Sequence, residues 1–125
     1  MEKKDKVILI VEDDEILLRA LYMQFKGAGY TLASAEDGEV AMEIAQRIHP
    51  DLILLDLLLP KKDGFEVLHD LKSDPKLKDI PVIVLSNLGS QDDIEKTQKL
   101  GAVDYFVKAD TDLVELETKI VKYLT

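Results

Sequence analysis

Four apolar runs in the sequence end in polar side chains that could bind a cation or an anion. These side chains are Glu12, Asp13 and Asp14 after the first run, Asp56 after the second, Ser86 and Asn87 after the third, and Lys108 after the fourth. Carboxylate oxygens bind hard divalent cations, and hydroxyl and ammonium groups donate hydrogen bonds to anionic oxygens. The set therefore suits chemistry between a carboxylate and a phosphoryl group.

Asp56 is the most informative of these residues, because it is the one polar side chain in the stretch 52–59. Burying an unpaired carboxylate costs several kcal/mol, so such a residue needs partners or a raised pKa. A structural aspartate that caps the next loop is the alternative interpretation. The matching polar groups after three other runs favour a functional one.

Glu12 and Asp13 are ordinary helix caps when taken alone, but they indicate a metal site when taken with Asp56. Carboxylates about 4 Å apart repel each other by roughly 1–4 kcal/mol per pair, and one lysine cannot neutralise three of them. A divalent cation can. Since the chain has no cysteine and only two histidines, the expected ion is Mg²⁺, with Mn²⁺ as a substitute.

Ser86 and Lys108 complete the parts needed for phosphoryl transfer to a carboxylate. The serine could simply begin a loop, and the lysine could extend into solvent from a strand end. In the functional interpretation both hold phosphoryl oxygens, the metal neutralises charge, and Asp56 is the nucleophile.

The elements that must position these groups alternate between strand and helix. Short apolar runs predict strands at 7–11, 30–35, 52–55, 81–85 and 103–107, and the first of these is continuous, as is typical of a strand buried on both faces. Apolar residues at helical spacing predict helices at 14–28, 38–48, 65–72, 90–100 and 112–124. Their inward faces include Ile16, Leu17, Ala20, Leu21 and Phe25 in the first helix and Val40, Ala41, Ile44, Ala45 and Ile48 in the second. This (βα)₅ pattern predicts an open, doubly wound parallel sheet of the α/β class, with any ligand at the carboxyl ends of the strands.

Length and composition agree with one globular domain over 1–125, with an ordered core at about 6–124. The net charge of −9 disfavours direct nucleic-acid binding, and the absence of cysteine excludes disulfides and thiol catalysis. The apolar runs are too short to span a bilayer, and the amino terminus lacks a signal-peptide pattern. A cytoplasmic protein without membrane contact is expected.

Four segments of the sequence, in this order, resemble the receiver domain of two-component response regulators. The segments are Ile8-Leu9-Ile10-Val11-Glu12-Asp13-Asp14, Asp56-Leu57-Leu58-Leu59-Pro60 with Asp63-Gly64, Val84-Leu85-Ser86, and Gly101-Ala102-Val103-Asp104-Tyr105-Phe106-Val107-Lys108. The resemblance covers essentially the whole chain. It implies a flavodoxin-like fold with strand order 2-1-3-4-5.

The resemblance also implies a set of roles around the metal. Asp56 is the implied phosphoacceptor for a sensor histidine kinase or phosphotransfer protein. Asp13, Asp56 and the main-chain carbonyl of Leu58 are the implied ligands of Mg²⁺. Glu12 is expected to act mainly through a metal-bound water.

A second group of implied roles concerns switching. Ser86 would move toward the phosphoryl group, Tyr105 would turn inward, and Lys108 would pair with the phosphate. The face formed by the fourth helix, fifth strand and fifth helix would then bind a downstream protein. No effector domain is expected in this chain, so its output is expected to be a protein contact. The resemblance implies that it catalyses its own phosphorylation and dephosphorylation, as a signalling switch rather than as a turnover enzyme.

The sequence departs from the family pattern at three places. Ala109 follows Lys108 where proline after a cis bond is usual, which leaves the state of that bond open. Asn87 stands where a very small residue is usual and could narrow access to the site. Leu58 and Leu88 are apolar where polar side chains can position the hydrolytic water, so a long-lived phosphorylated form is expected.

Three other functions compete with this one. A degenerate receiver that binds partners without phosphorylation remains open, because of Asn87 and Ala109. An aspartyl-phosphate phosphatase would need an acid at position 58, and a flavin or nucleotide carrier would need a phosphate-binding loop after the first strand. His49 and His69 are interpreted as plain surface residues.

Overall fold

A five-stranded parallel sheet forms the centre of the molecule, in a computed structural model that describes residues 6–124. Residues 1–5 and 125 of the expected domain lie outside the described residues. The strands are β1 (Val7–Val11), β2 (Thr31–Ala35), β3 (Leu52–Leu55), β4 (Val82–Ser86) and β5 (Asp104–Val107). They lie in the order β2-β1-β3-β4-β5, and every neighbouring pair is parallel. The expected fold and strand order are confirmed.

Five α-helices connect or follow the strands, and each begins close to a capping side chain. They are α1 (Glu15–Gly27), α2 (Gly38–Ile48), α3 (Gly64–Ser73), α4 (Gln91–Leu100) and α5 (Leu113–Leu124). Asp14, Asp37, Asp63 and Ser90 each accept a hydrogen bond from a main-chain N–H of the first turn of their helix. These caps fix where α1 to α4 begin at the carboxyl-end side of the sheet.

The apolar runs of β1 and β3 are continuous because both faces of the sheet are covered there. On β1, Ile8 and Ile10 face a core shared with α1 and α5, and Leu9 and Val11 face a core shared with α2 and α3. Residues 52–55 of β3 alternate between the two cores in the same way. A strand buried on both sides has no solvent-facing position for a polar side chain. Polar groups are therefore left to the strand ends.

Two residues that the helical spacing placed on inward faces are exposed, so those assignments were wrong. Ile16 of α1 is 82% exposed and Ile48 of α2 is 38% exposed. Ile16 precedes the half-buried Leu17 by one residue, which turns it about 100° away from the stripe formed by Leu17, Leu21 and Phe25. Ile48 ends its helix, beyond the last residue of α2 that contacts the sheet core closely.

Within residues 6–124, none of the helices combines the length and the apolar character needed to cross a membrane.

Candidate functional site

An acidic cluster lies at the carboxyl ends of β1 and β3, which are neighbours in the sheet. One carboxylate oxygen from each of Glu12, Asp13 and Asp56 lies within 4.8 Å of the chosen oxygens of the other two residues. Main-chain hydrogen bonds continue the ladder past the strand ends, because the Glu12 N–H donates to Ala35 O and the Asp56 N–H donates to Val11 O. Glu12 and Asp56 are 2% and 4% exposed, whereas Asp13 faces solvent. The ladder thus holds two buried carboxylates beside one accessible one.

Lys108 joins this cluster from the end of β5. Its Nζ donates to Oε1 of Glu12 at 3.0 Å and to Oδ2 of Asp56 at 2.9 Å. Burial alone would lower the pKa of Lys108, but the hydrogen bonds to Asp56 and Glu12 outweigh that effect and the pKa is raised. The lysine is therefore firmly cationic at neutral pH, between two carboxylates that come from different strands.

Glu12 has the most strongly buried carboxyl group of the cluster. Burial raises its pKa, against the opposing effects of hydrogen bonds from the Asp14 main-chain N–H and from Lys108. The Asp14 N–H donates to Oε2 of Glu12 at 3.0 Å. The sequence did not predict this contact. It orients the Glu12 side chain toward the sheet edge.

Ser86 and Tyr105 are linked through the main chain of Leu88. Ser86 is fully buried at the last position of β4, and its Oγ accepts a hydrogen bond from the Leu88 N–H at 3.3 Å. The Tyr105 hydroxyl donates to the Leu88 carbonyl at 2.5 Å. Burial, with the nearby negative charges of Asp93 and Asp56, raises the pKa of Tyr105. A shift of the Leu88 segment would alter both contacts.

The remaining residues that were predicted to modulate access lie around this edge with different exposure. The Leu58 N–H donates to Oδ1 of Asp56 at 3.3 Å, and its side chain is 53% exposed. Asn87 faces solvent and Leu88 is half-buried. Leu58 is thus tied to Asp56 by its main chain, while much of its side chain contacts solvent.

The peptide bond between Lys108 and Ala109 is trans, as are the others in the described part of the chain. Lys108–Asp110 forms a short 3₁₀ turn, and the Thr111 Oγ1 donates to Val107 O at 2.9 Å across it. The question that the sequence left open is therefore settled in favour of a different arrangement rather than a cis bond. The turn directs the lysine toward the acidic cluster.

The donor set fits a hard divalent cation. Three carboxylates and one ammonium leave two negative charges without a partner, and every side-chain donor of the cluster is an oxygen.

His49 and His69 are both exposed and belong to neither contact network described above. Sequence reasoning missed the close approach of two glycines, Gly38 and Gly64, to the loop after β3; Gly64 was noted as part of a motif, but not for its packing.

Comparisons with known proteins agree on one family. A family model described as "Response regulator receiver domain" matches residues 8–120. The chain is 40% identical over 120 residues to the "Probable transcriptional regulator ycf27" of Cyanophora paradoxa, a match that covers 96% of this chain and 48% of that protein. The chain therefore spans about half the length of the curated relatives it matches.

Solved structures give the same result. A putative response regulator from Chloroflexus aurantiacus superposes with a TM-score of 0.88 at 29% identity, covering 95% of this chain and 97% of that one. The Mn²⁺-bound form of the response regulator Rcp1 superposes with a TM-score of 0.80 at 37% identity, covering 90% and 88% of the two chains.

Proposed function

Because the chain belongs to the receiver domain family of two-component response regulators, we propose that it accepts a phosphoryl group on Asp56 in an Mg²⁺-dependent reaction. The observation that carries this proposal is the cluster of Glu12, Asp13 and Asp56 with Lys108 in contact with two of them. The donor of the phosphoryl group is a sensor histidine kinase or a phosphotransfer protein.

The proposed metal ligands are the carboxylates of Asp13 and Asp56 and the main-chain carbonyl of Leu58, with Glu12 acting mainly through a water. Mn²⁺ would substitute for Mg²⁺, as the Mn²⁺-bound relative suggests. When bound, the cation neutralises charge on the phosphoryl oxygens. The exposure of Asp13, beside two buried carboxylates, supports a site that is open to solvent on one side.

In the transfer step, a carboxylate oxygen of Asp56 attacks phosphorus and an O–P bond forms. The P–N bond to the donor histidine breaks, and the imidazole nitrogen keeps the bonding electrons and takes up a proton from solvent. Lys108 already contacts Oδ2 of Asp56, so its ammonium group is placed to bind a phosphoryl oxygen once Asp56 is esterified. The hydroxyl group of Ser86 is proposed to donate a hydrogen bond to another of these oxygens.

The proposed output surface consists of α4, β5 and α5. Thr97 is the one buried residue of α4, so few apolar contacts hold this helix in place. Elements with few buried apolar contacts shift at a low cost in free energy. Loss of the Leu88 N–H bond to Ser86, followed by rearrangement around Tyr105, would change the shape of this face.

We propose that a downstream protein segment binds this face. Several of the curated relatives are named as probable transcriptional regulators, and the match covers about half of their length. The net charge of −9 disfavours direct contact between this chain and nucleic acid. An aspartyl-phosphate phosphatase is not favoured, because position 58 has a leucine and not an acid.

The test is an intact-mass measurement after incubation with acetyl phosphate and Mg²⁺. The parent protein should gain one phosphoryl group, and Asp56→Asn or addition of a chelator should prevent this. Asp110→Asn is the matched control, since it removes an exposed carboxylate near Lys108 without touching the cluster. A parent that gains no mass, or an Asp56→Asn protein that still gains it, would contradict the proposal. Continuous release of free phosphate over many turnovers would indicate a phosphatase instead.

A further inference from the structure

The loop from Asp56 to Asp63, between β3 and α3, is held by a residue that lies far from it in sequence. Gly38, the first residue of α2, donates its N–H to Pro60 O at 3.4 Å. A Cβ built on Gly38 would lie 1.9 Å from Lys62 O and 2.6 Å from Lys62 Cβ. The start of α2 therefore touches the middle and the end of the loop.

Glycine at position 38 is required by space and not by backbone conformation. Its φ lies outside the left-handed region, unlike the φ of Gly29 and Gly101. Glycine in a helix is less favourable than alanine by up to about 1 kcal/mol, so helix propensity does not explain its presence. The close approach to Lys62 does, because no side chain fits between the two segments.

The loop has little freedom to move away from α2. The start of the loop packs against Gly64, the first residue of α3. A Cβ on Gly64 would lie 2.4 Å from Asp56 O and 2.5 Å from Leu57 Cα, and the Gly64 N–H donates to Leu57 O. At its end, Lys62 forms an ion pair with Asp70 of α3. The residues in between, including Leu58, must absorb any displacement of Lys62.

We propose that Gly38 is a positioning residue for the metal site, which keeps the main-chain carbonyl of Leu58 in place by allowing α2 to contact the loop. This inference rests on the proposed function, since it assigns a role toward the same cation. Mg²⁺ requires near-octahedral coordination with short metal–oxygen distances of about 2.0–2.1 Å. A carbonyl ligand on a displaced loop cannot meet that requirement.

The structure sets the size of the expected effect. Atoms in van der Waals contact lie roughly 3.5 Å apart, so a Cβ that would start 1.9 Å from Lys62 O displaces the loop or α2 by more than about 1 Å. Substitutions that disturb residues supporting a metal ligand lower metal affinity by about 10–100-fold. Gly38→Ala should therefore weaken cation binding by about tenfold or more.

The experiment measures Mn²⁺ binding to the full chain by the EPR signal of the free ion, for the parent, Gly38→Ala and Gly27→Ala. Gly27 is the matched control: it also lies in a helix, and a Cβ there would meet no heavy atom within 4 Å. Gly27→Ala should bind Mn²⁺ like the parent. In the acetyl phosphate reaction, Gly38→Ala should need more Mg²⁺ for half-maximal rate, with a smaller change in the rate at saturating Mg²⁺.

The outcomes separate this inference from the proposed function. A parent that binds no Mn²⁺ would overturn the proposed function and the inference with it. If the parent binds Mn²⁺ and a folded Gly38→Ala protein binds it equally well, the inference alone is overturned. The same holds if Gly38→Ala only lowers the melting temperature and leaves the Mn²⁺ affinity unchanged. If Gly38→Ala does not fold, Asp37→Ala replaces it. This change removes the cap of α2 and the ion pair between Asp37 and Lys61 of the loop, so it loosens the contact between α2 and the loop while the chain keeps glycine at position 38. Unchanged Mn²⁺ affinity in that variant would likewise refute the inference.

Discussion

Replacing Lys108 by methionine should lower the stability of the metal-free protein and strengthen its binding of Mg²⁺. The Lys108 ammonium lies within 3.1 Å of both oxygens of Glu12 and within 2.9 Å of Asp56 Oδ2. Its side chain is 15% exposed, and those of Glu12 and Asp56 are 2% and 4% exposed. Removing one partner from a buried ion pair costs about 3–5 kcal/mol, because it leaves a buried charge without compensation.

The pKa of Lys108 sets the pH at which this loss is visible. Its folded-state pKa is raised above the ordinary value of 10.5, so its stabilising effect is fully present below 10.5 and is lost only as the pH rises through the folded value. At neutral pH the parent has the full effect. A loss of about 3 kcal/mol corresponds to roughly 10 °C in melting temperature for a domain of this size.

The effect on Mg²⁺ has the opposite sign. A unit positive charge and a divalent cation about 4 Å apart repel each other by about 2 kcal/mol in bulk water, and more in a protein. Without the ammonium group, Mg²⁺ should bind about tenfold more tightly or better. Saturating Mg²⁺ should therefore restore more stability to Lys108→Met than it adds to the parent.

The assay is thermal unfolding at neutral pH across a titration of Mg²⁺. Lys119→Met is the matched control, since it makes the same change in net charge at an exposed position of α5. The reasoning is refuted if metal-free Lys108→Met melts at the same temperature as Lys119→Met. It is also refuted if Lys108→Met binds Mg²⁺ no more tightly than the parent.

Three further predictions concern the surroundings of the site. Combining Leu58→Asn with Leu88→Glu should shorten the lifetime of the aspartyl phosphate, because polar groups can position the attacking water. Hydrolysis is followed by intact-mass measurement, and a parent that loses its phosphoryl group as fast as the variant or faster would contradict this prediction. Lys72→Met should lower the free energy of unfolding, measured with urea, by about 1.5–3 kcal/mol. The reason is that Nζ of Lys72 donates to two main-chain carbonyls of the α3–β4 connection, at 2.7 and 2.9 Å. An unchanged urea midpoint would count against this prediction. Gly64→Ala should slow phosphorylation by acetyl phosphate in protein that is still folded, because its Cβ would displace the main chain of Asp56, the proposed phosphoacceptor. A rate equal to that of Gly27→Ala would show that the loop adapts.

The fold was predictable because each level of the sequence points to the same arrangement. The strands β1, β3 and β4 are apolar runs because α-helices cover both faces of the sheet, and apolar residues at helical spacing mark the helices between the strands. Boundaries were less certain, since they depend on hydrogen bonds rather than residue type. Tyr30, expected in the second strand, lies outside β2 because its N–H donates to Phe25 O at the end of α1.

The site was predictable as a set of residues but not as a network. The order of strands brings Glu12 and Asp56 together, since their strands are neighbours in the sheet. The sequence did not reveal that Lys108 contacts both carboxylates before any phosphoryl group is present. Nor did it reveal the contact between Gly38 and Lys62, because nothing in the spacing of these residues indicates how closely α2 approaches the loop.

The charge of the cluster connects stability with the proposed chemistry. Lys108 offsets part of the negative charge of Glu12 and Asp56, which are buried and would otherwise cost several kcal/mol. Two negative charges remain, the number that one divalent cation neutralises. Esterification of Asp56 exchanges a singly charged carboxylate for a group with more negative charge, which increases the demand on Lys108 and the metal. The Lys108 ammonium has three N–H donors and already contacts Glu12 and Asp56, so a phosphoryl oxygen on Asp56 would compete with Glu12 for them.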